Sequence, residues 1–168
     1  MKIKYLLLAA IAGAIITSDQ AVKIYVHTHF ILHESLNFIP GFFNLTYVRN
    51  PGAAFGFLAD SHPWFREMFF LLMPPIALLI ILGIMRNVQE NDRWTIVSLS
   101  MVFGGAIGNY IDRLRFRFVI DFLDVHLQEK YHWPSFNIAD MAIVCGVGIL
   151  LFLEFTKQRT KGTEQATS

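Results

Sequence analysis

A chain of 168 residues is long enough for one ordinary domain, yet 54% hydrophobic residues and a mean hydropathy of +0.46 are too apolar for a small water-surfaced fold. The formal net charge of +1, with 16% charged residues, leaves no strongly basic face to neutralise a phosphate backbone, which excludes nucleic acid as a partner. Cys145 is the sole cysteine, so an intramolecular disulfide is excluded; its place in an apolar run suggests helix packing.

A bilayer core roughly 30 Å thick requires about 20 apolar helical residues. The first stretch that meets this need is Tyr5–Ile24. Its basic start at Lys2 and Lys4 is also what a cleaved signal peptide shows, but no small-x-small cleavage site follows, so a retained transmembrane helix is expected. Asp19 and Lys23 lie four apart within it and share a helix face, where they can pair.

The connection over 25–67 shows strand-like alternation, best in Phe43–Val48, and Asn50-Pro51-Gly52 reads as a turn. His27, His29 and His33 would share one face of a strand in this loop, but without an acidic partner nearby they make a poor metal set. Asn44-Leu45-Thr46 matches a glycosylation triplet, a pattern common by chance. Pro63-Trp64-Phe65-Arg66 has the character of a headgroup-layer segment.

The second span is Phe69–Met85, with a kink expected at Pro74 and Pro75, where backbone donors are missing. The third, Trp94–Ile111, carries Gly104, Gly105, Ala106 and Gly108, a face small enough for another helix to approach closely. At its end Asn109 and Asp112 share a face, with Arg113 alongside. They form either a polar helix terminus or a set that holds a substrate backbone, and spacing does not choose between the two. A second connection, 112–135, contains the strand candidate Phe118–Phe122, so a small sheet resting on the membrane is expected. The fourth span is Phe136–Phe155, opened by Asn137 and Asp140, and the polar tail over 157–168 has a disordered composition.

Four spans put both termini on one side. Lys2, Lys4, Arg86, Arg93, Lys157, Arg159 and Lys161 would lie with them, against Arg49, Arg66, Arg113, Arg115, Arg117 and Lys130 opposite. The short connection Asn87–Asp92 and the basic tail favour cytoplasmic termini.

Ionisable groups in or beside a span are costly and mark function by default. A carboxylate pair that shares one proton supplies both acid and base for peptide hydrolysis without metal or covalent nucleophile. Asp140 is the most informative member, and Asp112, Asp121 and Asp124 are all open as its partner.

Five ordered segments carry a resemblance across nearly the whole chain: Asp19-Gln20-Ala21-Val22-Lys23, Val48–Phe55, Gly104–Arg113, Val119–Asp124 and Phe136–Asp140. Together they resemble the lipoprotein signal peptidases, or signal peptidase II. The resemblance implies an aspartic endopeptidase of the bacterial inner membrane that cuts diacylglyceryl-modified prolipoproteins just before the lipidated cysteine. It implies an all-α membrane protein: four transmembrane helices with an extracytoplasmic β-cradle and an interfacial helix, in one domain over 1–156. By the same comparison Asp121 and Asp140 are the catalytic pair. Asn50, Gly52, Asn109, Asp112, Arg113 and Asn137 bind substrate or support the pair, while Asp19, Lys23 and Asp124 are structural or site-supporting. No cofactor or metal is implied, the partners are prolipoprotein substrates and membrane lipid, and a monomer is expected with its site near the outer face. The rival readings are a carboxylate-based transporter, which would need polar residues through the bundle's depth, and a metal-dependent membrane hydrolase.

Overall fold

The computed structural model describes residues 2–52, 61–127 and 131–166. Its elements in chain order are α1 (Ile3–His29), β1 (Ser35–Ile39), β2 (Phe43–Asn50), α2 (Pro63–Asn87), α3 (Arg93–Phe116), β3 (Val119–Leu127), β4 (Tyr131–His132) and α4 (Ile138–Ala166). All four helices are long and apolar enough to cross a membrane, the solution that satisfies every backbone group within one segment. Mean hydropathy is highest in α2, at 2.6, and lowest in α3, at 1.3. The difference follows from position, because α3 packs against all three other helices while α2 presents Leu72, Ile76, Leu79 and Ile80 outward.

The small face of α3 makes that central position possible. A Cβ at Gly104 would lie 2.8 Å from the Cα of Ala12 on α1, and one at Gly105 would collide with the carbonyl oxygen of Ala139 on α4. Asp92 caps the helix start, accepting from the Thr95 N–H at 3.3 Å. Its end is closed by Arg117, which adopts a left-handed conformation (φ 66°) and donates its N–H to the Arg113 carbonyl at 3.1 Å.

The strands form an antiparallel sheet in the order β1-β2-β3-β4. In the β2–β3 register Val48 opposes Asp121 and Asn50 opposes Val119, with a bulge between Leu45 and Val48. Tyr47, Ile120 and Phe122 bury against Val26, joining the sheet to the end of α1. At the opposite end of the bundle a second core gathers Leu8, Ile81, Met85, Ile96 and Leu99. There Lys4 Nζ donates to the carbonyls of Arg86 and Val88 at 2.9 and 2.7 Å, and Lys157 lies 3.7 Å from Asp92. The start of α1 at Lys4 and the Lys157 region of α4 therefore both lie at the end of the bundle away from the sheet.

Several expectations need correction. His27 and His29 close helix α1 rather than lie on a strand, because α1 continues beyond the apolar stretch, and His27 meets the Tyr47 hydroxyl at 2.6 Å. Pro63–Arg66, by contrast, keeps its place at a span boundary as the first turn of α2, the helix that contains Pro74 and Pro75. Cys145 is exposed on the outside of the bundle instead of packing between helices. The chain after Lys157 continues α4 to Ala166 rather than leaving the helix. Ala53, Ala54 and Phe55 of the second resembling segment, and Lys130, lie outside the described residues.

Candidate active site

The site forms where the sheet meets the bundle, and each of its carboxylates is delivered by a different element. Asp121 lies on β3, two residues after Val119, and is buried. Asp140 stands in the first turn of α4, where unpaired backbone amides favour a carboxylate. Asn137 starts that helix with a reciprocal cap: its Oδ1 accepts the Asp140 N–H at 2.8 Å, while Asp140 Oδ2 accepts the Asn137 N–H at 3.2 Å. The same Asn137 donates its side-chain amide to Asp121 Oδ1 at 2.7 Å. One asparagine thus touches both carboxylates.

Each carboxylate also has a second asparagine. Asn50, at the end of β2, donates to Asp121 Oδ2 at 3.0 Å, while its side-chain Oδ1 accepts the Gly52 N–H at 3.0 Å in the expected turn. Asn109 on α3 donates to Asp140 Oδ1 at 2.7 Å. Arg113, one turn further along α3, donates to the carbonyls of Gly52 and Asn109 at 3.2 and 3.3 Å and lies over the Phe70 ring at 4.8 Å. It therefore links the β2 turn to the bundle.

Burial and, second, the charge of Asp140 push the Asp121 carboxyl up to about 7. The hydrogen bonds from Asn50 and Asn137, and the Lys23 ammonium, pull the other way and are outweighed. A carboxyl poised near neutrality is suited to giving and taking a proton.

Beneath the pair lies a buried ionic group. Lys23 Nζ is 2.8 Å from Asp19 Oδ2, the pairing expected from their spacing, and also 3.0 Å from Asp112 Oδ2 and 2.9 Å from Asn109 Oδ1. Gln20, which the residue-by-residue reading passed over, donates to Asp112 Oδ1 at 2.9 Å and to the Gly108 carbonyl at 3.1 Å. A polar amide inside an apolar span, next to Asp19, is the signal that marks it.

The fold thus brings together Asp19, Lys23, Asn50, Gly52, Asn109, Asp112, Arg113, Asp121, Asn137 and Asp140 from distant parts of the chain. Asp124 is not among them. Three residues beyond Asp121 on an alternating strand it turns to the other face, where it accepts from Asn44 at 3.0 Å and lies 3.8 Å from His126 Nδ1. Among the described residues no group of three or more His, Cys, Asp and Glu is arranged to hold a metal ion.

Comparison with known proteins agrees in family and in shape. The family model for signal peptidase (SPase) II matches residues 11–156. A lipoprotein signal peptidase of Syntrophus aciditrophicus is 48% identical, over 96% of this chain and 99% of that protein. Another, of Geobacter sulfurreducens, is 40% identical over 96% of this chain and 99% of its own length. A solved bacterial membrane enzyme superposes with a TM-score of 0.82 at 32% identity, covering 92% of this chain and 90% of that one. With a family match spanning most of its length and relatives of this closeness, the chain belongs to the signal peptidase II family.

Proposed function

We propose that this multi-pass membrane protein is an aspartic endopeptidase that removes the signal peptide of diacylglyceryl-modified prolipoproteins, cutting just before the lipidated cysteine. The observation that carries the reading is the shared asparagine: Asn137 bonds to both Asp121 and Asp140, so a strand and a helix present two carboxylates to one space. Like charges held this close favour a state with a single shared proton.

The reaction follows from that state. Asp140 takes a proton from water, the resulting hydroxide oxygen bonds to the scissile carbonyl carbon, and Asp121 gives its proton to the carbonyl oxygen. The tetrahedral species then collapses: the C–N bond breaks, the leaving nitrogen receives the proton held by Asp140, and the proton on the former carbonyl oxygen returns to Asp121. Asn50 and Asn109 hold the two carboxylates in line, and Arg113, through the Gly52 carbonyl, fixes the turn beside them. Asp112, Asp19 and Lys23 support the pair from below.

With the termini in the cytoplasm, the sheet end lies at the outer face of the bacterial inner membrane. A lipidated substrate reaches it laterally with its acyl chains still in the bilayer, and water is at hand there. The test is mass analysis of a prolipoprotein peptide after incubation with purified protein, with and without the diacylglyceryl group. Cleavage immediately before the cysteine is expected for the lipidated form, with little or none for the other. Equal cleavage would overturn the substrate class. A parallel incubation in strong chelator is expected to keep its rate, and loss restored by zinc would instead favour a metal-dependent hydrolase.

A further inference from the structure

The carboxylates of Asp19 and Asp112 bind the backbone that carries the proposed pair. Asp112 Oδ2 accepts the N–H of Ile120, the residue just before Asp121, at 3.0 Å. Asp19 Oδ1 accepts the N–H of Ala139, the residue just before Asp140, also at 3.0 Å. The two anchors come from different helices and hold different elements, yet one group joins them. Lys23 Nζ sits 2.8 Å from Asp19 and 3.0 Å from Asp112, and its contact with Asn109 leads on to Asp140 Oδ1.

We propose that Lys23 is a positioning residue that ties the chain ahead of Asp121 to the chain ahead of Asp140, and so sets the separation and angle of the two carboxylates. This rests on the reading of Asp121 and Asp140 as the catalytic pair. An ammonium has three donors, and three acceptors surround this one, so its direction toward each is fixed. Simple neutralisation of Asp19 would need neither Asp112 nor Asn109. Water does not replace the tie, since Lys23, Asp19 and Asp112 are all buried. Gln20 holds the second oxygen of Asp112, so the Ile120 anchor cannot rotate freely. Catalytic pairs lose much of their rate when displaced by about an ångström, which gives the tie its value.

The test combines kinetics with amide proton signals of the resting protein, labelled with 15N in detergent. Lys23→Met is expected to shift the signals of both Ile120 and Ala139, lower kcat by about 10²-fold and leave KM within about twofold. Asp19→Asn touches only the Ala139 anchor directly, so its diagnostic effect through Lys23 is a shift of the remote Ile120 signal that persists when Gln20, 3.5 Å from Asp19 Oδ2 and 2.9 Å from Asp112 Oδ1, is replaced by Leu. That second variant carries the test if Lys23→Met does not fold. Near-parental kcat in folded Lys23→Met overturns the proposal, as does an unmoved Ile120 signal in Asp19→Asn. Lost kcat with both amide signals unmoved in Lys23→Met also overturns it, because Lys23 would then act through its charge alone. The amide signals need no substrate, so a parent protein that shows the coupling but cleaves no prolipoprotein would sink the functional reading and leave the tie standing.

Discussion

Lys4 and Lys23 lie on the same helix, are both buried, and are satisfied in opposite ways. Lys4 donates to carbonyl oxygens, those of Arg86 and Val88 at the end of α2, where unpaired acceptors and the negative end of the helix welcome a cation, and it lies over the Tyr5 ring at 5.6 Å. Around it the core is apolar. Lys23 meets two carboxylates and an amide, each of which is bonded onward to another element. A buried ionic network is a poor source of stability compared with well-packed apolar groups. The terminal end of the bundle is therefore built to hold together, and the sheet end to hold particular atoms in place.

The largest effect that would sharpen this contrast is on turnover. Asp121→Asn and Asp140→Asn should each reduce it by several orders of magnitude, with the double variant little worse, as for members of one catalytic unit. Near-normal cleavage by Asp121→Asn, alongside loss in Asp124→Asn, would show the wrong residue of β3 to be paired with Asp140.

Next comes stability against pH. The Asp121 carboxyl has its folded value raised to about 7 from 3.8, so the native state binds more protons than the unfolded state between those values. Its stabilising contribution is full below the lower value and is lost as pH rises through about 7. Relative to the parent, Asp121→Asn should gain stability from pH 4 to pH 8 by up to about 4 kcal/mol. Denaturant unfolding in detergent at both pH values measures this, and a difference flat with pH would remove the case for a raised carboxyl.

At the other end Lys4→Met should cost about 1–3 kcal/mol, because two carbonyls lose their donor, while turnover per folded molecule stays at the parental level. A matching loss of turnover would erase the division between the two ends. The smallest effect is expected from a glycine comparison. Gly83→Ala in α2 meets nothing within 4 Å and should gain about 0.5–1 kcal/mol in melting experiments. Gly108→Ala, whose methyl would lie 2.9 Å from Asp19 Oδ2, should lose stability.

Local features were legible in the sequence wherever a period or a short spacing encodes them. The four spans, the strand at Phe43–Val48, the Asn50–Gly52 turn and the Asp19–Lys23 pair all follow from such rules. Span ends were less legible, because helices such as α1 outrun their apolar stretch once the sheet packs on them. The resemblance to a family selected Asp121 over Asp112 and Asp124 as the candidate partner of Asp140, a choice that spacing had left open. What neither route supplied was the long-range wiring: Lys23 to Asp112, Asn109 to Asp140, and the two carboxylates on the backbone amides of Ile120 and Ala139. Backbone amides leave no mark in a sequence, and a contact between remote residues has no period.

Only Arg117 and Phe118 separate α3 from β3, and the left-handed turn at Arg117 leaves no slack between them. The length of this joint fixes which way the strand faces. Because side chains alternate along a strand, inserting one residue here would swing Asp121 to the face now occupied by Asp124 and bring the wrong atoms toward α4. The Pro40–Phe42 hairpin, which turns at Gly41 between β1 and β2, carries none of the site residues and leaves room for such an insertion. Two connections of similar size on one sheet thus differ in what they tolerate: one can drift in length, and the other keeps the count of residues for the enzyme.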